Sequence, residues 1–198
     1  MQNQEYYRRY AEILEMLCQC YMDRYILVEL ESYNELVRRG DKALPKASLQ
    51  VLIHCGDLAK TDLGLLLWKL TDHKSSSNTI VTLNSYLRDE HGKRSNATLS
   101  NKSRHIRDHG LRSIRNHALA HNDLVKTGTS IQISTLFEML EDVRRVFNSL
   151  CYQDVDDRVA ALNDSQTYSI AFSAQLGLHW LMENSLVSRE SKIDCAGT

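Results

Sequence analysis

Over residues 4 to 39, Tyr6, Tyr10, Ile13, Leu14, Leu17, Tyr21, Tyr25 and Val28 recur every three or four positions. That spacing lines up one face of a helix, whereas a half-buried strand would need strict alternation. It predicts one long or kinked helix, closed by Arg38, Arg39 and Gly40. The tyrosines share the periodicity of the aliphatic residues, so they read as core packing and not as a surface for stacking bases.

The same period continues downstream. Pro45 suits the first turn of a second helix carrying Leu49, Leu52, Ile53, Leu65, Leu66, Leu67 and Trp68 to about Asp72. Gly56 and Gly64 weaken it locally and permit close helix contact. Ser75 to Ser77 offer N-caps for a helix from about Asn78 to His91, which Gly92 ends. A polar, basic loop, GKRSNA, follows from Gly92 to Ala97. From about Thr98 to His121 the helical pattern resumes with few apolar residues, and Gly110 in its middle permits a bend or a close backbone approach. Thr135 and Glu138 have capping-box spacing ahead of the clean stripe Leu136, Leu140, Val143, Phe147 and Leu150. A last helix is expected from about Tyr168 to Asn184. The expectation is an all-α protein, one domain over residues 1–187 with a frayed tail at 188–198.

A chain of 198 residues, 42% hydrophobic and 25% charged with a single proline, is long enough to bury a core and matches neither disordered nor repeat composition. No apolar run approaches the ~18 residues of a membrane span, and the start MQNQEYYRRYAE has no secretory core. The expected location is therefore cytoplasmic, with no membrane partner. Cys18, Cys20, Cys55, Cys151 and Cys195 lack zinc-ligand pairing and read as reduced thiols. Asp154, Asp156 and Asp157 read as solvated carboxylates. No glycine-rich phosphate loop, G-x-S-x-G elbow or H-E-x-x-H is present, so those enzyme classes drop out.

Net charge is only −1, so attraction to nucleic acid must be local. A local patch exists: from Lys93 to Lys126 there are eight Lys/Arg (Lys93, Arg94, Lys102, Arg104, Arg107, Arg112, Arg115, Lys126) against two acids, Asp108 and Asp123. Its centre, residues 104 to 123, reads RHIRDHGLRSIRNHALAHND, with four arginines and four histidines in twenty positions. The run Arg115-Asn116-His117-Ala118-Leu119-Ala120-His121 resembles the R-x(4–6)-H motif of HEPN domains, here Arg115-x5-His121. The segment LLLWKLTDHKSSSNTIVTLNSYLRD is also similar to abortive-infection members of that family, extending the resemblance to roughly residues 40–150. Arg104 with His109 and Arg112 with His117 satisfy the pattern as well, and Arg104/His109 stands as the second candidate pair.

The resemblance implies an antiparallel helical bundle with additional N- and C-terminal helices, usually a homodimer. It further implies a metal-independent endoribonuclease without cofactor, in a phage-defence or toxin–antitoxin setting, with an antitoxin or other defence protein as a possible partner. Arg115, Asn116 and His121 would be catalytic; Lys102, Arg104, Arg107, Arg112 and His117 would contact RNA phosphates. The residue types suit the chemistry. Histidine carries protons near neutral pH, and arginine forks onto phosphate oxygens without losing its charge. Asp123 stands where some HEPN toxins carry a tyrosine modified by a partner nucleotidyltransferase, so that control is not expected here. Two readings stand beside this one. His117 and His121, i and i+4 on one face, could ligate zinc with His105, His109 or Asp123; and the helix could be a non-catalytic RNA-, nucleotide- or protein-binding surface.

Overall fold

The periodic stretch at the start folds as helix α1 (Gln2–Arg39), 38 residues ending at Gly40, whose φ of 79° breaks the helical path. The structure, a computed structural model, describes residues 2–40, 46–72, 79–86, 98–121, 131–150 and Ser169. The later elements are α2 (Lys46–Leu70), α3 (Ile80–Tyr86), α4 (Asn101–His105), a π-helical turn (Ile106–Leu111), α5 (Arg112–His121) and α6 (Ile133–Ser149). The fold is all-α, and no helix among the described residues is long and apolar enough to cross a membrane.

Helices α1 and α6 run antiparallel, as their paired residues show. Tyr6 donates its hydroxyl to the Leu150 carbonyl at 3.0 Å, the Tyr10 ring stacks on Phe147 at 4.7 Å, and the Tyr21 hydroxyl donates to Glu141 at 3.1 Å, so α1 descends as α6 ascends. Arg24 adds an ion pair to Glu141 and lies over the Phe137 ring. Helix α2 is central, touching α1, α5, α6 and the π turn. Ile13 and Leu17 of α1, Leu63, Leu67 and Leu70 of α2, Leu111, Ile114, and the α6 residues Leu136, Met139, Leu140, Val143 and Phe147 are fully buried together. Burying such a side chain contributes about 1.5–3 kcal/mol, so this shared core, not helix propensity, holds the polar α4–α5 segment in place.

Several expectations need correcting. Val28 is 38% exposed, and Leu27 and Leu30 turn inward instead. A stripe continued at seven-residue steps drifts by about 20° per heptad around a straight helix, and by Val28 it has left the core side. Ile53 is 52% exposed. Helix α6 starts at Ile133, after extended Gln132, so Thr135 lies inside it and is not its cap. The capping reciprocity appears at α3: the Thr82 backbone N–H donates to the Thr79 hydroxyl at 3.1 Å, and the Thr79 N–H donates to Thr82 Oγ1 at 2.9 Å. Ser75 to Ser77, the 92–97 loop, Asp154 to Asp157, the helix expected at 168–184 apart from Ser169, and the tail lie outside the described residues.

Candidate functional site

The basic segment begins at Ser100, whose hydroxyl accepts from the Ser103 backbone N–H at 3.2 Å and so caps α4. Asp142 of α6 in turn accepts the Ser100 N–H at 2.8 Å and is gripped by Arg145. Burial raises the Asp142 carboxyl, but the bonds from Arg145, Ser100 and Ser103 outweigh it and leave its pKa below the ordinary carboxylate range. Lys102 forms an ion pair with Glu138, a second tie between α4 and α6.

After the five residues of α4, the helix changes pitch. Ile106 to Leu111 form a π turn, and the Arg112 N–H reaches back to the Arg107 carbonyl, five residues away. The π pitch brings Ile106 and Leu111, five apart, both into the core. It also accommodates Gly110: a Cβ there would stand 2.5 Å from Ile131 Cδ1, closer than any side chain tolerates. The close approach expected at Gly110 is thus realised. Single π turns recur at functional sites more than elsewhere in helices.

The turn divides the basic residues into two kinds. Arg107 is 8% exposed; its Nε donates to Asp108 at 2.8 Å, and its Nη1 reaches the Thr71 carbonyl at 3.5 Å, just past the end of α2. There it complements the carbonyl end of that helix. Arg104, His105, His109 and Arg112 are exposed. Arg104 Nε donates to the Leu99 carbonyl at 3.1 Å, and the rings of His105 and His109 lie with centroids 4.4 Å apart. Of the second candidate pair, His109 is thus brought beside a further imidazole, His105, while Arg104 is turned back toward Leu99.

On α5, Arg115 is half-buried. Its guanidinium lies over the Trp68 ring at 4.7 Å, and its Nε and Nη2 both donate to the amide oxygen of exposed Asn116, at 3.2 and 2.7 Å. Sequence reasoning paired Arg115 with Asn116 but missed Trp68, which it counted only as an apolar residue of α2; nothing local marks a stacking partner so distant along the chain. The neighbouring Ile114 is 1% exposed and sits against Gly64. Helix α5 is regular through His121, so six residues separate Arg115 and His121 by about 9 Å along the axis and about 120° around it. The side chains of His117 and His121 lie outside the described residues, as do Lys93, Arg94, Asp123 and Lys126. Among the described residues no three His, Cys, Asp or Glu side chains gather as metal ligands.

The site thus presents exposed cationic and imidazole groups along one continuous helical segment, with one arginine over an indole ring and turned onto an amide. No family model, curated protein or solved structure matches the chain.

Proposed function

We propose that this chain is a HEPN-like, metal-independent endoribonuclease working as a homodimer, in a defence or toxin setting where its activity is held in check by a partner protein. The observation that carries this reading is Arg115, fixed over Trp68 and forked onto Asn116 on the helix that also bears His121. A guanidinium with restricted freedom pays less entropy when it clamps a phosphate, and a planar fork suits two oxygens at once. With Nε and Nη2 engaged, the Nη1 edge is the one turned to RNA. Arg104 and Arg112 add exposed phosphate contacts along the same segment, with Lys102 beside them on α4.

In the proposed step the 2′-hydroxyl oxygen attacks the adjacent phosphorus, a base takes its proton, and the leaving 5′-oxygen receives a proton from an acid, giving a 2′,3′-cyclic phosphate and a 5′-hydroxyl end. His121 of one protomer acts as proton carrier while Arg115 steadies charge on the pentacoordinate phosphorus. Because α5 is unbent between them, one chain cannot supply both groups to one phosphate; the reading requires two copies facing each other along this helix.

A binding-only reading is favoured by a different observation: Lys102, Arg107 and Arg115 each already hold an intramolecular partner. Incubation of purified protein with total RNA in EDTA separates the two. Cleavage leaving cyclic phosphate ends, reduced about 100-fold or more by Arg115→Ala and by His121→Ala, supports the nuclease. Intact RNA retarded in a gel by the wild type supports the binding module.

A further inference from the structure

On the side of the molecule where α1 meets the middle of α2, a cavity of about 510 Å³ opens, walled by Ile26, Leu58, Ala59 and Leu65 and carrying the carboxyl groups of Asp23 and Asp62. Its size lies in the range of small-molecule sites, and so does its make-up, apolar walls with a few convergent polar groups. Asp23 is only 4% exposed. Gln19 donates to its Oδ1 at 3.4 Å, a long bond, while Oδ2 is buried with no hydrogen-bond partner. A buried carboxylate oxygen left without a donor is costly, and buried charges are ordinarily paired. No Lys or Arg among the described residues pairs with it; Asp62, another acid, sets a like charge against it and offers a side-chain hydrogen bond only while Asp23 holds its proton. Apolar walls beside two acids are a setting that favours a positively charged group on a hydrocarbon body.

We propose that this cavity is a binding site for a small organic cation, a primary ammonium on an apolar body, whose charged end lies between Asp23 and Asp62 and whose hydrocarbon end packs on Ile26, Leu58, Ala59 and Leu65. The ammonium supplies hydrogen-bond donors to Asp23 Oδ2 and to the exposed carboxylate of Asp62, meeting the unsatisfied oxygen and the unbalanced charge together. A metal ion fits less well: two carboxylates leave most of its coordination to water, and the surrounding walls are hydrocarbon. A neutral apolar ligand would fill the volume but leave the carboxyl groups as they are. The site lies on the α1–α2 face, whereas the basic segment lies on α4 and α5, so this inference is independent of the ribonuclease reading.

Titration calorimetry of the full chain with n-hexylammonium chloride at pH 7.5, with n-hexanol as the neutral match, tests the proposal. Saturable one-to-one binding of hexylammonium, at least about tenfold tighter than hexanol, is expected, and Asp23→Asn and Asp62→Asn should each weaken it about tenfold or more. Asp62 is exposed, so its variant serves even if the Asp23 substitution disturbs folding. Equal affinity for hexanol, no binding, or unchanged binding in folded Asp62→Asn would each overturn the proposal. So would sedimentation showing that hexylammonium splits a dimer, which would assign the cavity to a basic side chain of a second copy.

Discussion

Ile114 rests directly on Gly64: a Cβ on that glycine would meet Ile114 Cδ1 at 2.7 Å and Cγ2 at 3.3 Å. One turn further along α2, Trp68 lies under Arg115, the next residue of α5. The two contacts form one seam, so the absence of a side chain at position 64 sets how closely the motif helix approaches its platform.

Gly64→Ala should therefore destabilise the protein although alanine is the better helix former by about 1 kcal/mol. Overpacking costs about 1–3 kcal/mol, and fully buried Ile114 has nowhere to retreat. Replacing it by valine removes Cδ1. Denaturant melts should show Gly64→Ala lowering stability by about 1 kcal/mol or more in the wild type, and having little effect or a stabilising one in Ile114→Val.

Arg115 and Trp68 should be energetically coupled. A cation over an aromatic face contributes about 0.5–1 kcal/mol where partly exposed. A double-mutant cycle with Trp68→Leu and Arg115→Leu should return a coupling of about that size, and Trp68→Phe should retain part of it. A coupling near zero would remove the restraint on which the catalytic reading of Arg115 depends.

Asp23 should make stability fall as pH rises. Burial and then the Asp62 charge push its carboxyl up to about 7, with Gln19 opposing through its weak bond. The unfolded carboxyl titrates near 4. Between those values the folded chain binds more protons than the unfolded one, so this group's contribution declines from about pH 4 to about pH 7 and then levels off. Asp23→Asn mimics the protonated acid and removes that slope. Melts of the variant should exceed wild type above pH 7 by roughly 1–3 kcal/mol and converge with it near pH 4. The buried Cys20 thiol beside it is pushed upward by its own burial and by both aspartates, and stays protonated throughout this range.

Asp142 should show the opposite sign. Its folded pKa is depressed, so its stabilisation is present above the unfolded carboxylate value and is lost as pH falls through the lower folded one. Asp142→Asn should cost about 1 kcal/mol at pH 7, comparable with loss of a helix cap. The difference from wild type should shrink below about pH 4. A pH-independent difference would mean that shape, not charge, holds the start of α4.

The all-helical architecture was legible because apolar spacing repeats over α1, α2 and α6, and every residue of the α6 stripe from Leu136 to Leu150 is buried. The glycines were legible too: Gly64 and Gly110 both mark close approaches. Three features were not. Trp68 and Arg115 meet only through tertiary packing. Asp23 looks like any charged residue on a helix until the neighbouring helix covers it. Arg107 reads as one more phosphate-binding cation, yet it is spent internally on Asp108 and the end of α2, because a change of pitch carries it inward.

That change of pitch has a consequence for any chain built on this plan. A π turn holds about one residue more than an α turn, so deleting a single residue between Ile106 and Leu111 would let the segment relax into ordinary helix with the residues on either side kept close to their present phase. Arg104 and His105 would then keep nearly their present bearing relative to Arg112 and Arg115 with Ile114 still on Gly64, whereas the same deletion in a plain α-helix would rotate them by about 100°. The widened turn absorbs the surplus residue locally, so it changes the placement of what lies inside it, Arg107 and Gly110 above all, and leaves the helix on either side in step.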